Sequence, residues 1–169
     1  MTSEAKIIRV KDPLELPSDQ ERAPLWSAEL FFKGLYRNGP SFRAAVFLNR
    51  PRADHDTPED DAHGYAGCFF VFGKGGCFGD EGHCDPRGPE SRFDTRVFHG
   101  GDTTRSVDVT AALRRELAAG KTEVAVTVVP RIADSAGVPV GGDTDNPVQF
   151  SEVELVTYDA YAPAAQRDN

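Results

Sequence analysis

Phe42-Arg43-Ala44-Ala45-Val46-Phe47-Leu48 is the stretch that decides the fold. Phe42, Ala44, Val46 and Leu48 fall at alternate positions. Side chains alternate sides along an extended backbone, so these four share one face, as in a strand half-buried against a core. The same period recurs in Val124, Val126 and Val128, and Pro130 is expected to close that strand because it has no N–H to donate. Working outward, further short apolar runs separated by Gly, Pro and Asp clusters give candidate strands over 6–10, 27–35, 65–72, 95–98, 106–109 and 148–158, beside 42–48 and 123–129. This pattern predicts an all-β protein, an antiparallel β-sandwich or jelly-roll-like barrel. One short helix is expected after Val109: Thr110 as N-cap, Leu113 and Leu117 on one face, Gly120 as the C′ glycine.

The 169 residues suit one domain, expected over 1–162, with a frayed tail over 163–169. A 39% hydrophobic content with 11 Phe is a globular composition, and a formal net charge of -8 argues against nucleic acid or an anionic membrane as partner. The longest apolar run, Ala66 to Phe72, is strand length. Charges at Glu4, Lys6 and Arg9 interrupt the N-terminus where a signal peptide would need an apolar core, so a cytoplasmic location is expected. The Arg114–Arg115 pair is expected on a solvated helix face. The carboxylates of Asp54, Asp56, Glu59, Asp60 and Asp61 read as a solubilising acidic loop.

The chemistry-bearing residues are concentrated in one glycine-rich loop, Gly73 to Pro89. It holds Cys77, His83 and Cys84, two of the 3 cysteines and one of the 4 histidines. Two thiolates and an imidazole suit Zn²⁺ or Cu(I), with soft sulfur favouring copper. Three ligands leave a zinc site incomplete, and Cys68, on the strand upstream, would complete it if the fold brings it near. A Cys77–Cys84 disulfide and a plain turn-rich loop are the alternatives, and Cys68 alone reads as a small core residue. His55, His63 and His99 lie in loops or at strand ends and read as solvated side chains. No nucleophile–base order, phosphate-cradling loop or paired-carboxylate signature stands out.

Three patches carry a resemblance. Val46-Phe47-Leu48-Asn49, Tyr65-Ala66-Gly67-Cys68-Phe69 and Val126-Thr127-Val128-Val129-Pro130-Arg131 resemble, in that order, patches of the C-terminal domain of the polyphenol oxidase and tyrosinase family. Ser106 to Leu117 is similar to the strand and short helix that the family places between the last two. The likeness runs from Phe42 to Tyr158. The family's Lys-Phe-Asp-Val motif is replaced here by Arg43-Ala44-Ala45-Val46, its Ala-Gly-Ser-Phe serine by Cys68, and the Gly73–Pro89 loop is longer and richer in cysteine. The family's six-histidine dicopper domain is missing, and 4 histidines cannot build it.

The resemblance implies a non-catalytic module that covers the dicopper site of a tyrosinase or polyphenol oxidase domain, with a bulky side chain in its entrance. Phe78 is the candidate plug, and Cys77, His83 and Cys84 would pass Cu(I) to the oxidase. The competing expectation is a freestanding zinc- or copper-binding β-sandwich, an enzyme or ligand-binding protein in its own right.

Overall fold

The computed structural model describes residues 6–10, 12–16, 25–37, 39–73, 103–132 and 147–159. The strand expected over Thr95 to Phe98 and the tail from Pro163 lie outside them. In chain order the elements are β1 (Ile8–Arg9), β2 (Leu14–Glu15), β3 (Leu25–Leu35), β4 (Phe42–Leu48), a 3-10 turn (Asp61–His63), β5 (Tyr65–Val71), β6 (Thr103–Asp108), α1 (Thr110–Ala118), β7 (Glu123–Val124), β8 (Val126–Ile132) and β9 (Glu152–Asp159). They form a four-stranded sheet in the order β1-β8-β4-β5, a three-stranded sheet β6-β3-β9 and a two-stranded ribbon β2-β7. Every pairing is antiparallel. Among the described residues the architecture is sandwich-like with one α-helix, as expected, and the sheets do not close into a barrel.

The two larger sheets enclose the main core. Ala28, Leu30 and Phe32 from β3 meet Phe42, Ala44, Val46 and Leu48 from β4, Phe69 and Val71 from β5, and Val126 and Val128 from β8. Phe32 lies at the centre, its ring centroid 4.7 Å from that of Phe69 and 5.5 Å, edge-on, from that of Phe150. Rings of this size bury large apolar areas and gain further from tilted and edge contacts.

Strand β4 departs from the half-buried expectation. Ala45 and Phe47, on its other side, are as fully buried as Val46. They belong to a second apolar cluster with Ala53 and Val129, flanked by Ile7 and Tyr65. Alternation in the sequence showed one apolar face; the second is covered from outside the sandwich.

Pro130 does not end its strand, which runs on to Ile132 with Pro130 opposite Ala44. The Val10 N–H donates to the Val126 carbonyl at 3.0 Å. Backbone polar groups of residues 126, 128 and 130 therefore point away from β4. The paired residues of β1 reach only Thr127 and Val128, so the missing N–H of Pro130 faces a stretch where no ladder partner stands.

The helix begins differently from expectation. Val109 occupies the N-cap and makes no side-chain capping bond. The Thr110 hydroxyl instead accepts from the Ala28 N–H at 2.9 Å, pinning the helix to β3, and the Asp108 carboxylate accepts from the Thr110 N–H at 2.9 Å. At the other end Gly120 takes the expected C′ role, with φ +74°. Its N–H donates to the Leu117 carbonyl and that of Lys121 to the Glu116 carbonyl, the paired bonds of a Schellman cap.

Gly67 permits the close approach of β6 to β5. Its φ is +138°, and a Cβ placed there would lie 2.6 Å from Val107 Cγ1. Gly67→Ala combines a strained backbone with a clash inside the core, and should destabilise the protein by about 2–4 kcal/mol. A urea midpoint equal to that of the parent would refute this role.

Candidate functional site

The outer face of the four-stranded sheet gathers polar groups that the sequence scatters. Cross-strand register sets side chains in three rows: Arg131, Arg43 and Phe70; Val129, Ala45 and Cys68; Thr127, Phe47 and Tyr65. The first row places two arginines directly opposite each other, a repulsive arrangement unless an anion stands between them. Glu59 is that anion. Arg43 grips it with both terminal nitrogens, one bond measuring 2.7 Å, and Arg131 Nε lies 3.3 Å from the same carboxylate. The Arg43–Glu59 pair is a fork-to-carboxylate contact, the geometry in which arginine binds most strongly.

Glu59 comes from the segment 50–64, which crosses the outer face as a strap. The strap is held from four elements by arginines: Arg9 Nε donates to the Pro51 carbonyl at 2.5 Å, Arg43 and Arg131 hold Glu59, and Arg115 lies 3.0 Å from Asp61. A second Arg131 bond reaches the His55 carbonyl at 2.8 Å, and a second Arg115 bond the Tyr65 carbonyl at 3.2 Å. Arg115 is thus engaged with the strap and not merely solvated. The strap's own carboxylates order it locally. Asp54 accepts from the Thr57 hydroxyl at 2.8 Å and the Asp56 N–H at 3.1 Å. Asp60 caps the 3-10 turn through the His63 N–H at 3.0 Å. The loop expected to be merely solubilising is therefore built from its acidic residues.

Asn49 hinges the strap to the sheet. It adopts φ +51°, a left-handed conformation that asparagine tolerates better than most residues. Its side chain donates to Glu116 Oε2 at 2.6 Å and accepts from the Ala125 N–H at 2.9 Å, joining the end of β4 to α1 and to the break between β7 and β8.

These contacts fix protonation states. The hydrogen bond from Arg43 holds the Glu59 carboxyl below the usual glutamate range, and the same bond raises the Arg43 guanidinium. Burial first, and the Cys68 thiol second, push the Tyr65 phenol up to about 12, while its oxygen accepts from Arg43 at 3.1 Å. The Glu59 carboxylate offsets one of the two guanidinium charges and the phenol stays neutral, so the arrangement carries one net positive charge and fastens the loop.

Among the residues singled out in sequence, Cys68 lies half-buried in the middle row as a free cysteine, beside Arg43 and Tyr65. Cys77, Phe78, His83 and Cys84 lie outside the described residues, as does His99. Among the described residues, no three His, Cys, Asp or Glu side chains come together to hold a metal. His55 and His63 are not simply solvated: His55 Nε2 lies 3.1 Å from the Pro130 carbonyl, and His63 Nδ1 lies 2.7 Å from Asp60. Sequence reasoning missed Arg43, Glu59 and Arg131 as a group. The one available signal was a charged residue at position 43 inside an otherwise apolar strand.

Arg43→Ala leaves Glu59 with Arg131 as its cation and should destabilise the fold by about 1–3 kcal/mol at pH 7. Because the folded state lowers the Glu59 pKa, its stabilising contribution is complete above the usual glutamate range and fades as pH falls through the folded value. Urea unfolding of the parent between pH 7 and about pH 3 should therefore show a steeper acid loss than Arg43→Ala. Parallel pH profiles would refute the pairing.

No protein-family model and no curated protein matches the sequence. Solved structures do match. Latent aurone synthase (polyphenol oxidase) from natural source is 17% identical, with a TM-score of 0.48, over 95% of this chain and 26% of that one. The recombinantly expressed latent enzyme is 16% identical, with a TM-score of 0.48, over 95% and 25%. The recombinant enzyme co-crystallised with hexatungstotellurate(VI) is 17% identical, with a TM-score of 0.48, over 91% and 24%. The chain is thus similar to a polyphenol oxidase over nearly all of its own length, while spanning about a quarter of that enzyme's.

Proposed function

We infer that this chain is an accessory module of the polyphenol oxidase type, whose work is done against the dicopper site of an oxidase domain. The observation that carries this reading is spatial. The three patches that resemble the family's C-terminal domain fall on β4, β5 and β8, hydrogen-bonded neighbours in one sheet. Their distinctive residues have structural tasks there: Asn49 turns the chain out of β4, Gly67 admits Val107, and Arg131 helps hold the strap. Arg43, standing where the family has its lysine, keeps a cation at the same place in the motif. With 4 histidines, the chain cannot by itself supply a six-histidine dicopper centre.

In this reading the module shields the oxidase site, with Phe78 as the side chain in its entrance. Cys77, Cys84 and His83 hold Cu(I) and release it to the neighbouring histidines. Paired thiolates in a glycine-rich segment suit transfer because soft ligands bind Cu(I) and a glycine-rich backbone can present them.

The test has two parts. The purified chain should oxidise no diphenol alone, and adding it to the dicopper oxidase domain it accompanies should lower oxygen consumption on a diphenol. Turnover by the chain alone, or an oxidase unaffected by a large molar excess, would overturn the shielding role. In Cu(I) titrations against a competing chelator, Cys77→Ser and Cys84→Ser should each weaken binding about tenfold or more. Affinity unchanged in both variants would remove copper transfer and leave shielding standing.

A further inference from the structure

The strap over the outer face differs from the rest of the fold in how it is held. Between residues 50 and 64 only Ala53 and Gly64 are buried. Ala53 alone contributes an apolar side chain to the cluster of Ala45, Phe47 and Val129 beneath it. Its other anchoring contacts are polar, among them Arg9 to the Pro51 carbonyl, Arg43 and Arg131 to Glu59, Arg131 to the His55 carbonyl, Arg115 to Asp61, His55 to the Pro130 carbonyl, and the Leu48 N–H to the Gly64 carbonyl. The sandwich, by contrast, is held by large side chains buried between sheets, including Phe32, Leu30 and Val46. Lifting the strap exposes Ala53 and the small cluster beneath it, whereas separating the sheets exposes the whole main core. Segments with few buried apolar contacts open at lower free energy than the global transition.

We propose that residues 50–64 form a charge-latched strap that opens as a separate unit, with Glu59 as the latch and Asn49 as the hinge. Glu59 is the decisive group because it resolves a conflict in the sheet. Without its charge, Arg43 and Arg131 stand opposite each other uncompensated, and the strap loses its central pair of contacts. Arg43 on β4, Arg131 on β8 and Tyr65 on β5 are the charged or titratable groups acting on Glu59 from the sheet, with Cys68 beside Arg43 and Tyr65. Opening uncovers Ala45, Phe47 and Val129, turning a sheet covered on both faces into one with an accessible apolar side. The device stands on the strap's own contacts and holds whether or not the chain accompanies an oxidase.

Hydrogen–deuterium exchange on the full chain at pH 7 tests it with Glu59→Gln, which removes the charge and keeps the shape. The reporting amides are Ala53, Thr57, His63, Gly64 and Tyr65, whose N–H groups donate to Arg50, Asp54, Asp60 or Asp61 carbonyls within the strap. They should exchange about tenfold faster or more, while amides of Leu30 and Phe32 in β3 keep the parental rate. Asp56→Asn makes the same change of net charge at an exposed strap position and should leave both sets unchanged. Raising salt to about 1 M should move the parent towards Glu59→Gln, because screening weakens the latch. Strap amides as protected in Glu59→Gln as in the parent would overturn the proposal. So would strap and β3 amides accelerating together, since opening would then be global, and so would an equal effect of Asp56→Asn.

Discussion

A strand buried on both faces sets the terms for the whole structure. In β4, Phe42, Ala44, Val46 and Leu48 face the sandwich interior, and Ala45 and Phe47 are equally buried behind it. Each face of such a strand gains from a cover of its own, because apolar surface left in water forfeits part of the burial that drives folding. The inner cover is the three-stranded sheet, which presents Ala28, Leu30 and Phe32 from β3. The outer cover is a loop, and a loop rich in aspartate and proline has little apolar material to give. Ala53 is its single buried apolar side chain. The remaining work falls to hydrogen bonds and ion pairs, which is why arginines from β1, β4, β8 and α1 converge on the same short segment.

Register makes that convergence possible. The opposition of Arg43 to Arg131 would weaken the sheet by itself, and it becomes an asset once Glu59 lies between the two. The turn out of β4 must then deliver the strap to the right place. Asn49 does this with a left-handed backbone and a side chain whose two ends serve Glu116 and Ala125. The same contact explains why the valine-rich stretch after the helix is two strands and not one. Ala125 donates its N–H to the Asn49 side chain and accepts from the Asn49 N–H, at the point where pairing passes from β2 for β7 to β1 and β4 for β8.

What the sequence disclosed follows from the range of the interactions involved. The inward face of β4, the edges of β5 and the C′ role of Gly120 depend on neighbours a few residues away, and alternation or turn chemistry records them. The second face of β4 left no such trace. Ala45 and Phe47 sit at positions that alternation assigns to solvent, and their partner Ala53 is a small residue in a polar loop. Pro130 misled for a related reason: its missing N–H matters only where a neighbouring strand needs it, and that depends on where β1 stops. The strap's carboxylates read as solubilising because their partners are remote in sequence, with Arg131 bonded to a residue 76 positions before it. Composition registers the charges but not their pairing.

The pattern of likeness and difference also separates fold from function. Asn49, Gly67 and Arg131, at the heart of the three patches that resemble the polyphenol oxidase family, are tied here to a hinge, a close approach of strands and a latch. At such positions the resemblance also serves the building of this sheet. Departures from the family pattern are therefore the more informative places for specific chemistry. The glycine-rich segment carrying Cys77, His83 and Cys84 lies outside the matched strand patches and concentrates two of the 3 cysteines of the sequence. Where a frame's matched residues are occupied with its own integrity, the segments between the strands are the places to look for specific chemistry, the division of labour expected where loops carry function on a rigid scaffold.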